Sequence, residues 1–217
     1  MTESSPRFLI DGPADARATI LLAHGAGAPM DSDWMNAVAA ALAAEKLRVA
    51  RFEFAYMASR RTGAGKKPPP KAEKVMEEYR QAVTALDATT PLIIGGKSMG
   101  GRVASMVADE LATSGQVSGL LCLGYPFHPP GKPEKLRTAH LSEMTTPALI
   151  CQGARDPFGN ESEADAFSLS PAIELIWFAD GDHDLKPRKA SGMTLDQHVA
   201  NMAKAARAFA ERIIAEK

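Results

Sequence analysis

Short, almost wholly apolar runs recur along this chain and alternate with longer amphipathic stretches, which leaves few folds open. Residues 18–23 (ATILLA), 48–54 (RVARFEF), 92–95 (LIIG), 119–123 (GLLCL), 147–152 (PALICQ) and 173–178 (IELIWF) read as strands. Each is shorter than an ordinary helix and ends in glycine-, proline- or charge-rich sequence. Residues 33–45 set Trp34, Val38 and Leu42 at helical spacing, with Asp31, Ser32 and Asp33 available as N-caps. Helices are also expected at 72–86, 98–113, 161–167 and 194–216. In the last of these Leu195, Val199, Met202, Ala206, Phe209 and Ile213 form one apolar stripe. The Gly-, Pro- and Lys-rich stretch 59–71 and the proline-rich stretch 124–147 are expected loops. Strands that are apolar throughout, alternating with helices, imply a mostly parallel sheet with helices on both faces. Ligands of such sheets bind beyond the carboxyl ends of the strands, so chemistry is sought in the residues that follow each strand.

The strand at 92–95 runs directly into Gly96-Lys97-Ser98-Met99-Gly100, and a helix follows. This is the pattern G-x-S-x-G in the context it requires: a strained turn lifts the serine hydroxyl above the sheet, and the glycines let strand and helix approach. Ser98 is therefore the candidate nucleophile. Ser105 lies inside the helix and has little claim. A phosphate cradle is rejected because the order G-x-x-x-x-G-K-[ST] is missing. A serine that attacks a carbonyl also needs N–H groups aimed at the oxyanion. Met99, at the start of the helix, supplies one. The loop His24-Gly25-Ala26-Gly27-Ala28-Pro29, after an earlier strand, offers the second, from Ala26 or, failing that, Gly25. His24 is read as a structural residue of that loop.

In folds with such an elbow the acid follows the serine along the chain and the histidine follows the acid. Asp156 emerges in a turn just past the strand at 147–152, and His183 in the turn past the strand at 173–178. Ser98, Asp156 and His183 are the expected catalytic set. Asp180, Asp182 and Asp184 flank His183 as turn formers and loop caps. A metal site at 182–184 is not expected, because no second cluster of ligands has suitable spacing. His198 is expected to face outward from the terminal helix. His128 and His140 lie in the loop before Asp156; His128 is either a loop residue or a contact for substrate. Lys97, Glu53 and Tyr56 are further candidate substrate contacts, since each sits at or just after the end of a strand.

The segments HGAGAPMDSDWM (24–35), RFEFAYM (51–57), GGKSMGGRVASMVAD (95–109), LGYPFHPPGKPEKLRTAHL (123–141), CQGARDPFG (151–159) and DGDHDLKPRK (180–189) together resemble one group of bacterial α/β hydrolases. These are relatives of the mammalian testis-expressed hydrolase-like protein and of regulatory subunit three of the NSL histone-acetyltransferase complex. The chain is more distantly similar to dienelactone hydrolases, whose nucleophile is often cysteine where this chain has Ser98. The resemblance implies an α/β-hydrolase fold and a triad at the positions already argued, with no single substrate attached.

A single domain over 1–217 is expected, because this length supports one substantial core and is short for two. A net charge of −1 suggests neither nucleic-acid nor membrane-surface partners. The first residues lack a basic stretch followed by an apolar one, and no apolar run has membrane-spanning length. A cytoplasmic location is therefore the expectation. Cys122 and Cys151, in apolar runs, read as buried reduced thiols. The stretch 124–147 is too short for a large lid, so an open, shallow site with minimal or no lid is expected. The basic residues Arg60, Arg61, Lys66, Lys67 and Lys71 are either a solvated loop or a means of recruiting anionic substrates. A serine hydrolase acting on small acyl esters or thioesters, with no cofactor, is the leading expectation. Lactone, carbon–carbon or peptide cleavage on the same triad is the alternative, followed by a non-catalytic interaction protein.

Overall fold

The structure, a computed structural model, describes residues 6–63 and 68–215. Strands β1 (Leu9–Asp11), β2 (Thr19–Ala23), β3 (Arg48–Phe52), β4 (Leu92–Lys97), β5 (Gly119–Leu123), β6 (Ala148–Gly153) and β7 (Ile173–Phe178) form one sheet in the order β1-β3-β2-β4-β5-β6-β7. All neighbouring pairs are parallel except β1 with β3. The apolar runs of β2, β4, β5 and β6 are continuous because these central strands bury both faces. In β2, Leu21 and Ala23 enter one core while Ile20 and Leu22 enter the other. Helices α1 (Asp33–Ala44) and α5 (Leu195–Ala215) cover the second core, and α3 (Met76–Leu86) and α4 (Met99–Thr113) cover the first. This is the expected α/β-hydrolase architecture, and the connection 124–147 contains no regular element that would form a lid. Among the described residues no helix is long and apolar enough to cross a membrane.

The strand order reverses between β2 and β4. The chain steps from β2 out to β3, crosses back to β4, and continues through β5 on the other side. That reversal opens a crevice at the carboxyl ends of β2 and β4, where the Gly25–Ala28 loop and Ser98 both lie. Register brings them level: Ala23, the last residue of β2, pairs with Gly96 in β4.

Several expectations need correction. Residues 55–61 form helix α2 (Ala55–Arg61), although Ser59 onward reads as loop in the sequence. Its start is satisfied from outside, the Ala55 N–H donating to the Glu78 carboxylate at 2.6 Å, and Met57 packs inward. Tertiary contacts thus override a weak local preference. Lys66 and Lys67 lie outside the described residues. The helix expected over 72–86 is broken at Val75, with a 3-10 turn (Ala72–Lys74) ahead of α3. The element expected at 161–167 is likewise a 3-10 helix, Glu161–Ala166. His198 does not face outward. It is 2% exposed, and its Nδ1 donates to the Leu185 carbonyl at 2.7 Å, an acceptor presented by a left-handed turn at Leu185. Cys122 and Cys151 are free and buried, as expected. They occupy adjacent strands, yet their side chains enter opposite cores, so the sheet itself separates them.

Candidate active site

Ser98 has φ 51° and ψ −113°, a strained conformation for a residue with a Cβ. Such strain costs about 1–3 kcal/mol and persists only where the surroundings enforce it. Here the enforcement is close packing. A Cβ on Gly96 would lie 2.4 Å from the Ala23 carbonyl oxygen, and one on Gly100 would lie 2.5 Å from the same atom. The two glycines of the motif therefore exist to let the end of β2 press against both sides of the turn. The Ser98 N–H donates to the Leu123 carbonyl at 3.0 Å, which anchors the turn to β5.

The three residues expected as a set do come together. His183 Nε2 lies 2.9 Å from Ser98 Oγ, and His183 Nδ1 lies 2.7 Å from Asp156 Oδ2. A carboxylate oxygen can only accept, so Nδ1 carries the proton and Nε2 is left to accept from the serine hydroxyl. Asp156 is fully buried. Besides His183, its oxygens accept from Gln152 Nε2 at 2.9 Å and from the Phe158 N–H at 2.8 Å. A buried carboxylate needs such partners, since desolvation without them is prohibitive.

Gln152 has no counterpart among the sequence expectations. Fully buried, it donates to Asp156, to the Tyr125 carbonyl and to the Gly159 carbonyl, and it accepts from the Tyr125 N–H at 2.7 Å. It ties the loop after β5 to the loop that carries Asp156. Its signal in the sequence was thin: a lone amide at the end of an apolar strand. Phe158 is the second such residue. Its ring packs on the His183 imidazole with centroids 4.3 Å apart.

Lys97 does not project into solvent, although it is among the residues that line a depression at Ser98. Its ammonium is buried, donates to the His183 carbonyl, pairs with Asp184 at 3.1 Å and lies 5.2 Å from the Trp34 ring. Trp34 Nε1 in turn donates to the Asp184 carbonyl at 2.9 Å. Burial pulls the Lys97 pKa below its ordinary value, and the Asp184 carboxylate opposes that pull. The residue before Ser98 thus straps the His183 loop to the turn at the end of β4. Gly124 faces this strap with φ +64°, and a Cβ there would lie 2.6 Å from the His183 carbonyl oxygen.

Neither the Met99 nor the Ala26 N–H is used in a hydrogen bond among the described residues, and the same holds for Gly25. The loop that carries Ala26 is pinned by its carbonyls instead. His24 Nδ1 donates to the Gly25 carbonyl at 2.6 Å, and the Tyr56 hydroxyl donates to the Ala26 carbonyl at 3.1 Å. His24 Nε2 accepts from the Phe54 N–H at 3.2 Å, so the ring is neutral, and burial lowers its pKa accordingly. Tyr56 is therefore a support of the loop.

Two expected substrate contacts are otherwise engaged. Glu53 accepts from the Met30 N–H at 3.2 Å and pairs with Arg61 at 2.6 Å, which also holds Asp31. His128 is buried, bonded to the Pro129 carbonyl and to Glu163 at 3.0 Å, and lines neither depression at Ser98. Burial opposes its protonation, but these two bonds hold its pKa above the ordinary value. Among the described residues no group of His, Cys, Asp and Glu has the arrangement of a metal site.

Two open depressions meet at Ser98. One, of about 350 Å³, is walled by Trp34, Met35, Phe158 and His183. The other, of about 460 Å³, runs past Met99 toward Lys71, Arg102 and Arg137.

The sequence from residue 16 to residue 211 matches the alpha/beta hydrolase domain family. The chain belongs to that family. Its fold recurs in solved structures at low identity. An alpha-beta serine hydrolase homologue from Coxiella burnetii superposes with TM-score 0.68 at 19% identity, covering 91% of this chain and 90% of that one. A protein from Xanthomonas campestris, described as a serine hydrolase without lid, gives TM-score 0.64 at 19% identity over 98% and 95%. Dienelactone hydrolase from Anabaena variabilis gives TM-score 0.69 at 16% identity over 95% and 97%. This alpha/beta hydrolase domain shares its fold with them.

Proposed function

We propose that this alpha/beta hydrolase domain cleaves small acyl ester or thioester substrates through an acyl-enzyme, with Ser98 as nucleophile, His183 as general base and Asp156 as its orienting acid. The observation that carries the reading is the unbroken line of hydrogen bonds from Asp156 through His183 to Ser98, at 2.7 and 2.9 Å, ending on a strained serine. Ser98 Oγ attacks the carbonyl as its proton passes to His183 Nε2. The free N–H groups of Met99 and Ala26 receive the oxyanion. His183 then returns the proton to the leaving atom, and the same imidazole activates water to release the acid. The open walls at Ser98 suit small or protruding acyl groups. Within the family, the segments quoted above favour kinship with the testis-expressed hydrolase-like protein and its relatives.

The test is covalent. A fluorophosphonate should add to Ser98, located by mass, and Ser98→Ala should take no label. A panel of esters and thioesters of graded acyl length then reports the bond type and size preference. An adduct on another residue, or none on folded protein, overturns the proposal.

A further inference from the structure

The second depression at Ser98 differs in chemistry from the first. Along its wall lie Lys71, Arg102 and Arg137, opposed among its lining residues by the single carboxylate of Glu73. Glu73 pairs with Arg102 at 2.8 Å, while Arg102 Nε is buried with no hydrogen-bond partner. Among the described residues the Arg137 guanidinium makes no hydrogen bond or ion pair; its only bonds are through its backbone, to Phe127 and Tyr125. Its pKa is lowered, first by desolvation and then by the nearby Arg102 charge. Two guanidinium groups thus share one groove with a single carboxylate, that of Glu73, which is already paired with Arg102. Proteins seldom hold such a pair without a ligand that repays the repulsion and the desolvation.

Position decides which part of a substrate would enter. His183 must hand its proton to the leaving atom, so the leaving group lies on the side that His183 lines. That is the more apolar depression, walled by Trp34, Met35 and Phe158, whose charged lining residues Lys97 and Asp184 are paired with each other. The acyl group then extends the other way from the Ser98 carbonyl adduct, along Met99 toward Arg102 and Arg137. Resting on the hydrolase reading above, the geometry points to an acyl group that ends in a carboxylate, held by Arg137 with Arg102 and Lys71 beside it, esterified to an uncharged, apolar leaving group. A planar guanidinium matches a carboxylate in two-point geometry, whereas the exposed ammonium of Lys71 only adds charge at the rim.

Two esters with the same leaving group and the same acyl length separate the possibilities: para-nitrophenyl hydrogen adipate and para-nitrophenyl hexanoate. On wild-type protein at low salt, kcat/KM for the adipate should exceed that for the hexanoate by about tenfold, the scale of one charge-assisted contact. The preference should shrink as salt rises toward about 1 M. In Arg137→Gln the ratio of the two should fall by about tenfold, mainly through KM of the adipate, and Arg137→Lys should recover part of it. Because the preference is read first on wild-type protein, a variant that fails to fold does not blunt the test. Hydrolysis of hexanoate with labelled Ser98 and no adipate preference overturns the anionic acyl site and leaves the hydrolase reading standing. An equal loss on both esters in Arg137→Gln overturns it too. If neither ester is cleaved and Ser98 takes no fluorophosphonate, both proposals fall.

Discussion

The two ends of the sheet are both indented, and the two depressions that meet at Ser98 are smaller than two at the opposite end. Beside the amino ends of β2 and β3 lies a depression of about 480 Å³ lined by Ala18, Lys46, Leu47 and Arg207; another of about 500 Å³ sits by Leu92 and Ser118 at the start of β4 and β5. The one lined by Trp34 and His183 at the carboxyl ends is smaller, about 350 Å³. What sets that end apart is cost. It gathers a strained Ser98, a buried Asp156, a buried Lys97 and a fully buried Gln152, each held by partners from other segments of the chain. Volume does not mark a site here; concentrated unfavourable chemistry that the fold sustains does.

Substitutions at the two ends should therefore differ by orders of magnitude. Ser98→Ala should lower ester hydrolysis by about 10⁴-fold or more, and Asp156→Asn by about 10⁴-fold through loss of the correct imidazole tautomer, both read as kcat at saturating substrate. Equal activity in either would erase the contrast between the ends. Lys97→Met keeps apolar bulk but cuts the strap to the His183 carbonyl and Asp184, so kcat should fall by about 10²-fold with the fold retained. A change confined to KM would show that Lys97 contacts substrate instead. Gln152→Leu leaves a buried Asp156 oxygen and the Tyr125 N–H short of partners, and should lower unfolding free energy by about 2–3 kcal/mol in urea titrations. At the other end Lys46→Gly replaces a residue at φ 65° with one suited to it; stability should shift by less than about 1 kcal/mol and turnover should hold at the wild-type value.

Acid should act on the carboxyl end through two histidines of opposite sign. His24 at the carboxyl end is neutral and its pKa lies below the ordinary 6.5. The unfolded chain then binds a proton that the folded chain refuses, so this contribution to stability is whole above 6.5 and is lost as pH falls below it. His128, with a raised pKa, acts with the opposite sign: its contribution is whole below 6.5 and is lost as pH rises through its folded pKa. Urea titrations at about pH 7.5 and about pH 5.5 should show a wild-type decline on acidification that flattens in His24→Asn. A steeper decline in that variant would assign the acid sensitivity elsewhere.

Much of this was legible in the residues. The strand runs were readable because both faces of a central parallel strand are buried, which leaves an uninterrupted apolar string. Ser98 was readable because its turn needs glycine at both Gly96 and Gly100, a local steric demand. Asp156 and His183 were readable because strand ends in this topology deliver their loops to one edge. Gln152, the Lys97 strap and the Arg137 guanidinium were not, since each is defined by what lies around it from elsewhere in the chain: Tyr125 and Gly159, His183 and Asp184, or, for Arg137, no side-chain partner among the described residues. The sequence left Glu53 and His128 open between packing and substrate contact for the same reason. The sequence by itself determined the order of layers and the residues of the hydrogen-bonded line, because periodicity and turn sterics act over a few neighbouring positions. Only the tertiary structure decided which charges are neutralised and which are left facing Ser98, because pairing and desolvation depend on distances between segments that no local pattern encodes.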